Sequence, residues 1–256
     1  MTDNWASGRV ALVTGATSGF GEAMALRLLA AGAHVIATGR RADRLEALAT
    51  ELASARLLTR VLDVRDQTSI DAMLADLPPP FDAIDILFNN AGLALGLSKA
   101  HEADLDDWQT MIDTNVSGLV RVTRAVLPGM VVRNRGDVIN MSSVAASYPY
   151  PGGNVYGATK AFVRQFSLNL RADLLGTNIR VTSIEPGMAD TEFSVVRFNG
   201  DQASADKVYQ GVQAMSADDV ALVCEGVLKL PAHININSLE LMPVQQAFGP
   251  FAVNRD

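Results

Sequence analysis

The segment "TGATSGFG" (residues 14–21) connects a run of apolar residues to a segment with helical periodicity. Its glycines, Gly15, Gly19 and Gly21, are spaced G-x3-G-x-G, which differs from the G-x-G-x-x-G fingerprint of dinucleotide sites. The physical requirement is the same, since glycines allow a tight turn and let N–H groups at a helix N-terminus approach a phosphate. A plain strand-to-helix turn is the alternative. The position directly after the first predicted strand favours a phosphate-binding loop.

Strand-like and helix-like segments alternate along the rest of the chain. Between the apolar runs lie segments of helical period, such as "ADRLEALATELA" (residues 42–53), in which Leu45, Leu48 and Leu52 share one face. Such alternation implies right-handed crossovers and a parallel sheet. We therefore predict a single α/β domain over residues 1–256, a doubly wound seven-stranded parallel sheet with helices on both faces. The predicted strands are residues 9–15, 34–39, 56–64, 84–92, 137–142, 179–187 and 238–243.

Composition limits the kinds of partner. The chain has 256 residues, 48% of them hydrophobic, and a formal charge of -7, which disfavours nucleic acid as a partner and favours small molecules. No stretch approaches the roughly 18 apolar residues of a membrane span. A single cysteine, Cys224, and a first segment that lacks the features of a signal peptide predict a cytoplasmic protein without an internal disulfide. We predict no metal site.

The end of the second predicted strand indicates which dinucleotide would bind. NAD sites usually place an acidic residue there to bond the ribose 2′-hydroxyl. This chain has "TGRR" instead, and the guanidinium groups of Arg40 and Arg41 suit a 2′-phosphate in charge and geometry. The alternative is that both arginines begin the following helix in solvent. The sequence favours NADP.

Two further strand ends carry candidate cofactor contacts. Asp63, after the third predicted strand, could accept a hydrogen bond from an adenine amino group. The segment "NNAG" (residues 89–92) has small and amide side chains that suit a backbone lying close to a nucleotide. Alternatively, Asp63 and the "NNAG" segment could each simply end a strand without contacting a cofactor.

A polar residue interrupts the apolar face of the helix after Asp107. Asn115 falls within the stripe formed by Trp108, Met111, Ile112, Leu119, Val122 and Val126. A buried amide needs hydrogen-bond partners. Asn115 could pair with a neighbouring backbone group for structural reasons. Alternatively, its side chain or the adjacent helix backbone could organise a water near an active site.

The segment "YGATK" (residues 156–160) places Tyr156 and Lys160 four residues apart, on one face of a helix predicted from 156 to 174. The predicted apolar stripe of that helix is Phe162, Phe166, Leu170 and Leu174. A free tyrosine, with a pKa of about 10, is a weak base at neutral pH, but a neighbouring ammonium and a cationic nicotinamide would lower that pKa. The spacing alone is common. Ser143, at the end of the fifth predicted strand, makes a catalytic reading stronger.

Together these motifs resemble the short-chain dehydrogenase/reductase family over nearly the whole chain. "TGATSGFG", "NNAG", Asn115, Ser143, "YGATK" and Pro186-Gly187 followed by Thr191 occur in the order and spacing of that family. The resemblance implies that Tyr156 exchanges the proton, Ser143 bonds the reacting oxygen, Lys160 tunes Tyr156 and holds the nicotinamide ribose, and Asn115 maintains a water relay. It implies NADP(H) contacts at Gly15, Thr17, Ser18, Gly19, Phe20, Gly21, Arg40, Arg41, Asp63, Val64, Asn90, Ala91, Gly92, Tyr156, Lys160, Pro186, Gly187 and Thr191.

A narrower resemblance concerns the substrate. Segments such as "NNAGLALG", "DDWQTMIDTN" and "LPAHININSLELMPV" look like bacterial NADP-dependent members that act on small 3-hydroxy acids and semialdehydes, of the 3-hydroxypropionate, serine and allo-threonine type. The segments "PGMADTEF", "NMSS" and "SYPYPGG" depart from that group. The alternatives are a sulfoacetaldehyde reductase or another small-carbonyl reductase, an enzyme from another branch such as a sugar or steroid reductase, and a non-catalytic NADP sensor.

An acidic substrate needs a cation or several hydrogen-bond donors. Arg197, in a substrate loop predicted at about residues 187–215, is the candidate, and Ser143, Tyr150 and Asn154 are the predicted polar contacts. The alternative is a solvated arginine on a mobile lid.

The family commonly forms tetramers through the last strand and two long helices. The terminal strand and the tail "AFGPFAVNRD" (residues 247–256) carry apolar groups that look exposed, so a homotetramer is expected.

Overall fold

The computed structural model describes residues 4–248, and within them seven strands form one parallel sheet in the order β3-β2-β1-β4-β5-β6-β7. The predicted single-domain, doubly wound α/β fold is confirmed. The strands are β1 (Val10–Thr14), β2 (His34–Gly39), β3 (Leu57–Val61), β4 (Ile86–Asn89), β5 (Gly136–Met141), β6 (Ile179–Pro186) and β7 (Ser238–Leu241).

Nine α-helices connect or flank these strands within the described residues. They are α1 (Gly19–Ala30), α2 (Ala42–Leu52), α3 (Gln67–Ala75), α4 (Leu105–Ile112), α5 (Leu119–Arg133), α6 (Asn154–Asp173), α7 (Glu192–Arg197), α8 (Gln202–Tyr209) and α9 (Ala217–Leu228). A π-helical segment, Asp113–Gly118, joins α4 to α5, and a 3-10 turn, Val144–Ala146, follows β5. None of the helices in residues 4–248 is long and apolar enough to cross a membrane.

Each face of the sheet has its own hydrophobic core. Ala11 and Val13 of β1 contribute to the core under α1 and α9, whereas Val10 and Leu12 contribute to the core under α5 and α6. This alternation follows from the two-residue period of a strand. Because both faces are covered, the five inner strands contain almost only buried residues, as parallel strands between helix layers do. The edge strands β3 and β7 are half-buried or exposed instead.

The strand order reverses between β1 and β4, whose chains pair in parallel from Ala11↔Ile86 to Val13↔Phe88. At such a reversal the connections leave the carboxyl ends of the two strands in opposite directions and open a crevice. The glycine loop after β1 and the "NNAG" segment after β4 therefore lie at the same edge of the sheet.

The predicted apolar stripe of α6 is partly wrong. Leu170 and Leu174 are buried, but Phe162 is 39% exposed and stacks on Phe166. The buried face instead runs through Tyr156, Thr159, Lys160, Val163, Ser167 and Leu170. Polar residues on this face made it look solvent-facing in the sequence, but the Ser167 hydroxyl accepts a hydrogen bond from Asn140 of β5.

In the first turn of the predicted apolar stripe around Asn115, the residues that are buried differ from those predicted. Met111 is buried, but Trp108 is half-buried and Ile112 is 37% exposed. The π-helical segment adds a residue to the turn, so α4 and α5 do not share one continuous helical face. Asn115 and Thr114 lie within this segment and are buried.

Candidate active site

A cleft of about 310 Å³ lies beyond the carboxyl ends of β1, β2, β4 and β5. Most of the residues predicted to contact a dinucleotide line it: Gly15, Thr17, Ser18, Gly19, Phe20, Arg40, Arg41, Asp63, Val64, Asn90, Ala91, Gly92, Tyr156, Lys160 and Thr191. Pro186 and Gly187 line an adjoining cavity instead. Gly21 packs below the loop, where an added Cβ would collide with the Gly15 carbonyl and the Asn90 amide.

The glycine loop has the geometry that its sequence requires. Gly15 and Gly19 have φ angles of 66° and 57°, in the left-handed region that other residues rarely adopt. Asn90 Nδ2 donates to the carbonyls of Thr14 (3.1 Å) and Gly15 (3.0 Å), which fixes the loop against β4.

The donors at this edge fit a pyrophosphate. Ser18 begins α1 without a side-chain hydrogen bond to the first turn, so the N–H groups of that turn are available to an anion. The Thr114 hydroxyl also lines the cleft and is buried without a partner among the described residues. The site therefore offers several uncommitted donors.

The two arginines after β2 differ in their contacts. Arg40 is exposed at the cleft and forms no hydrogen bond or ion pair within residues 4–248. Arg41 instead donates to Thr17 Oγ1, to Ser18 Oγ (2.8 Å) and to Glu192 Oε2 (2.9 Å). Positive charge at this end of the cleft fits a 2′-phosphate, and Arg40 has the free guanidinium.

Asp63 also lines the cleft and is an anion. Its carboxylate accepts from Arg65 Nη2 at 2.6 Å, and this hydrogen bond holds the pKa of Asp63 below its usual value. An ionised carboxylate remains an acceptor for an amino group, so the predicted adenine contact is compatible with its position.

Tyr156 and Lys160 face the same cleft. The Lys160 ammonium lies 5.8 Å from the centroid of the Tyr156 ring and donates to the Met141 carbonyl at 2.8 Å. Both residues belong to the buried face of α6. Tyr156 also lines the adjoining cavity, together with Ser143, and therefore lies between the cleft and that cavity.

The contacts of the chain by itself do not lower the Tyr156 pKa, and the lowering expected with a cationic nicotinamide stays a prediction. Burial raises the pKa of Tyr156 to about 12, although the nearby Arg197 charge and a hydrogen bond from Ser143 act in the opposite direction. Burial also lowers the pKa of Lys160 to about 8. The phenol is therefore neutral at pH 7, and the cation that most favours its ionisation is Arg197.

Arg197 enters this centre from α7. Its guanidinium carbon lies 5.0 Å from the Tyr156 ring centroid and 5.2 Å from that of Phe193. Nη2 donates to the Tyr150 hydroxyl at 2.8 Å, whereas the buried Nε has no partner among the described residues. Ser143, Tyr150, Tyr156 and Arg197 thus meet in one cavity of about 370 Å³.

Asn154 does not join them. Its Nδ2 donates to the Ser98 carbonyl at 3.1 Å, outside the cavity, so it fastens the start of α6 to the loop after β4. The structure gives no support to the predicted substrate contact of Asn154.

Asn115 uses its whole side chain for structure. Oδ1 accepts from Leu93 N, and Nδ2 donates to the Leu93 carbonyl (2.8 Å) and to Thr159 Oγ1 (3.1 Å). It thereby ties the "NNAG" loop to α6 immediately beside Lys160. Gly92 lies between them, because a Cβ there would be 3.2 Å from Asn115 Oδ1 and 3.5 Å from Lys160 Nζ.

Sequence reasoning missed Glu192 and Thr114. Glu192 begins α7, lines the cleft and pairs with Arg41, which lies 151 positions earlier in the chain. No local pattern marks such a pair. Thr114 precedes Asn115 within the apolar stripe, and its unusual position there was the only available signal.

This fold and site define a class of enzyme. A model of the short chain dehydrogenase family matches residues 9–201. The chain belongs to the short chain dehydrogenase family and is an oxidoreductase that acts on CH–OH groups.

Particular members are very similar. The NADP-dependent 3-hydroxy acid dehydrogenase YdfG of Salmonella typhi is 58% identical over 247 residues, 96% of this chain and 99% of the relative. Serine 3-dehydrogenase of Agrobacterium fabrum is 56% identical over 96% of this chain and 98% of the relative. A solved structure described as the closed form of serine dehydrogenase complexed with NADP+ has a TM-score of 0.95 and 58% identity, and it covers 96% of this chain and 100% of its own.

Proposed function

We propose that this protein is an NADP-dependent oxidoreductase that transfers a hydride between the nicotinamide and a small 3-hydroxy acid or the corresponding semialdehyde. One observation carries the proposal: a buried phenol, a serine hydroxyl and a half-buried arginine meet in one cavity that adjoins a dinucleotide cleft. The first two groups suit a carbonyl oxygen, and the third suits a carboxylate. The names of the two relatives agree with this chemistry.

The cofactor contacts follow the cleft. The glycine loop and the first turn of α1 would hold the pyrophosphate, and Arg40 and Arg41 would hold the 2′-phosphate. Asp63 and Val64 would contact the adenine end, and Asn90, Ala91 and Gly92 would lie along the backbone of the nucleotide. Gly21, Pro186, Gly187 and Thr191 complete the proposed set, the last three beside the nicotinamide.

The chain's own residues handle the proton. When bound, the nicotinamide supplies or accepts the hydride at carbon. Tyr156, neutral at pH 7, donates its proton to the carbonyl oxygen in the direction of reduction and accepts it in reverse, while the Ser143 hydroxyl bonds that oxygen. Lys160 holds the nicotinamide ribose and provides positive charge as the phenolate forms. Asn115 fixes the backbone beside Lys160, and we assign the water relay to that backbone because the Asn115 amide is already bonded at both ends.

Arg197 and Tyr150 are the proposed substrate anchors. Arg197 ends α7 and Tyr150 lies before α6, and the two side chains bond each other beside the Tyr156 ring. A carboxylate held there would bring a three-carbon acid close to the phenol. The substrate loop at about residues 187–215 contains α7 and α8. The same guanidinium would hold a sulfonate, which makes sulfoacetaldehyde the second candidate substrate.

A substrate panel tests the function directly. The rates of NADPH oxidation would be compared for malonic semialdehyde, sulfoacetaldehyde and a bulky neutral ketone, each repeated with NADH. We expect the highest kcat/KM with the acidic aldehydes and a clear preference for NADPH. Preference for the bulky ketone would contradict the proposed substrate class, and preference for NADH would contradict the role of the arginines.

The Arg197→Ala variant should raise KM for an acidic substrate about 10- to 100-fold, because a charge-assisted hydrogen bond to a buried group is lost. KM for a small neutral alcohol should change much less. Steady-state kinetics on both substrates measure the difference, and Arg197→Lys, which keeps the charge, is the matched control. Equal effects on both substrates would remove Arg197 from the anchor role.

We further propose a cytoplasmic homotetramer. The single cysteine, Cys224, is a buried free thiol, as suits a reducing compartment. β7 forms one edge of the sheet, and Val132 of α5 and Leu175 after α6 are largely exposed, so an edge and two helix surfaces offer apolar contacts. Val244 and Phe248 are also exposed, whereas residues 249–256 of the predicted tail lie outside the described residues.

Light scattering at micromolar concentration should give a mass of about four times the 27.2 kDa of one chain. A monomer would contradict the proposed assembly without bearing on the reaction.

A further inference from the structure

The short helix α7 separates the two spaces of the site. Thr191, Glu192, Phe193 and Val196 line the cofactor cleft, whereas Thr191, Phe193, Ser194 and Arg197 line the substrate cavity. The contacts that hold α7 in place therefore keep this helix at the cleft and, at the same time, keep Arg197 over the Tyr156 ring.

The tethers of α7 lie on three sides. On the substrate side, Gly96 N donates to the Arg197 carbonyl at 3.1 Å. Toward α8, the hydroxyls of Ser194 and Tyr209 bond at 2.7 Å. Toward the adenosine end of the cleft, the first residue of α7, Glu192, reaches across to the opposite wall.

Glu192 bridges two cations and the glycine loop. Oε2 accepts from Arg41 Nη1 at 2.9 Å, and Oε1 accepts from Arg44 Nη2 at 3.2 Å. Hydrogen bonds from Arg41 and Ser18 lower the pKa of Glu192, so the carboxylate is ionised at neutral pH. Arg41 also donates to Thr17 and Ser18, which connects α7 through one guanidinium to the loop that receives the pyrophosphate.

We propose that Glu192 is a positioning residue that holds α7 across the cofactor cleft by bridging Arg41 and Arg44, so that closure over the cofactor and placement of Arg197 are one event. The inference rests on the proposed function, which identifies the cleft as the cofactor site and the adjoining cavity as the substrate site. All three side chains are 40% or more exposed, and exposed ion pairs are weak and screened by salt. Such a bridge can hold the closed form and still open for cofactor exchange.

Arg44 distinguishes this role from direct cofactor binding. It does not line the cleft, and its one ion pair within residues 4–248 is with Glu192. The variants are Glu192→Gln, Arg44→Gln and their combination, with Arg44→Lys as the charge-conserving rescue. Arg60→Gln, which removes a half-buried arginine of β3 paired with Asp76, is the matched control.

The main readout is trypsin cleavage after Arg197 in the protein without added cofactor, followed by mass spectrometry. Glu192→Gln and Arg44→Gln should each accelerate this cleavage about two- to fivefold, the amount that an exposed ion pair contributes to an opening equilibrium. Adding Arg44→Gln to Glu192→Gln should give no further acceleration, because both changes remove the same bridge. Arg44→Lys and Arg60→Gln should behave as wild type, and high salt should reduce the differences.

A kinetic readout accompanies it. The NADPH dissociation constant and KM for the acidic substrate should rise by similar factors in Glu192→Gln and Arg44→Gln, with kcat near wild type, because no group that touches the reacting atoms is changed. Wild-type cleavage rates in both single variants would overturn the proposal, as would independent, additive effects of the two substitutions. If cleavage responds as expected but the wild-type protein reduces no acidic aldehyde, the role of Glu192 is supported and the proposed function is contradicted.

Discussion

The Tyr156→Phe variant should lower kcat about 10²- to 10⁴-fold, the range that positioned general acids and bases contribute. The change removes only the phenolic oxygen. The ring contact with Phe193, at 5.6 Å between centroids, and the cation over its face can persist. Because the pKa of Tyr156 is raised to about 12, the lost group is a neutral acid at pH 7. NADPH affinity, measured by fluorescence titration, should stay near wild type.

Tyr209→Phe is the matched control for this variant. Tyr209 lines the same cavity, but its hydroxyl bonds Ser194 and the Ala189 carbonyl and not the space beside Ser143. It should retain most of the wild-type kcat. Turnover by Tyr156→Phe at the wild-type rate would disprove the proton-transfer role, and the non-catalytic alternative would then gain weight.

The Lys160→Met variant should be more stable than wild type at neutral pH, although it should lose most of its activity. Lys160 is only 7% exposed, and its ammonium has one hydrogen bond, to the Met141 carbonyl, and no ion pair within residues 4–248. Burial lowers its pKa from 10.5 to about 8, which corresponds to a cost of up to about 3 kcal/mol for the charged form. Losing the bond to Met141 offsets part of the gain.

The pH dependence gives this prediction its sign. A basic group whose pKa is lowered by folding destabilises the folded state. The destabilisation grows as pH falls from the pKa in the unfolded state to the pKa in the folded state, and it is absent above the unfolded-state pKa. The free energy of unfolding of Lys160→Met should therefore exceed that of wild type most at about pH 7, and the difference should shrink as pH rises from about 8 toward about 10.5. Urea denaturation at both ends of that range measures it.

Lys207→Met, which removes an exposed lysine of α8, is the control for replacing a lysine by methionine outside the buried site. A constant difference between Lys160→Met and wild type across the range would mean that the buried ammonium is not the source of the effect. The expected pattern would identify Lys160 as a residue kept for catalysis at a cost in stability.

Features that depend on local chain geometry were predictable from the sequence. The strands follow from short apolar runs, and the positions of Gly15 and Gly19 follow from a turn that needs positive φ. Tyr156 and Lys160 meet because residues four apart share a helix face. The resemblance to a known family brought Ser143 and Asn115 into the same site; the fold places Ser143 in the cavity with Tyr156, whereas Asn115 bonds Leu93 and Thr159 beside it.

Other predictions failed because burial is decided by what packs against a segment. Phe162 looked like a core residue of α6, but the sheet lies against the face with Lys160 and Ser167, whose polar groups find partners there. Asn154 lies near the site in sequence, yet its amide bonds the Ser98 carbonyl. Burial also raises the pKa of Tyr156 in the chain by itself to about 12, an effect that charges along the helix do not reveal.

The sequence by itself determined the strand segments, the glycine loop and the spacing of the tyrosine-lysine pair, because each depends on backbone conformations and spacings within a few residues. Only the tertiary structure decided that Arg197 lies over Tyr156 and that Glu192 joins α7 to Arg41. These contacts connect parts of the chain that are far apart in sequence. Their strength depends on distance and on exclusion from water, and the complete fold sets both.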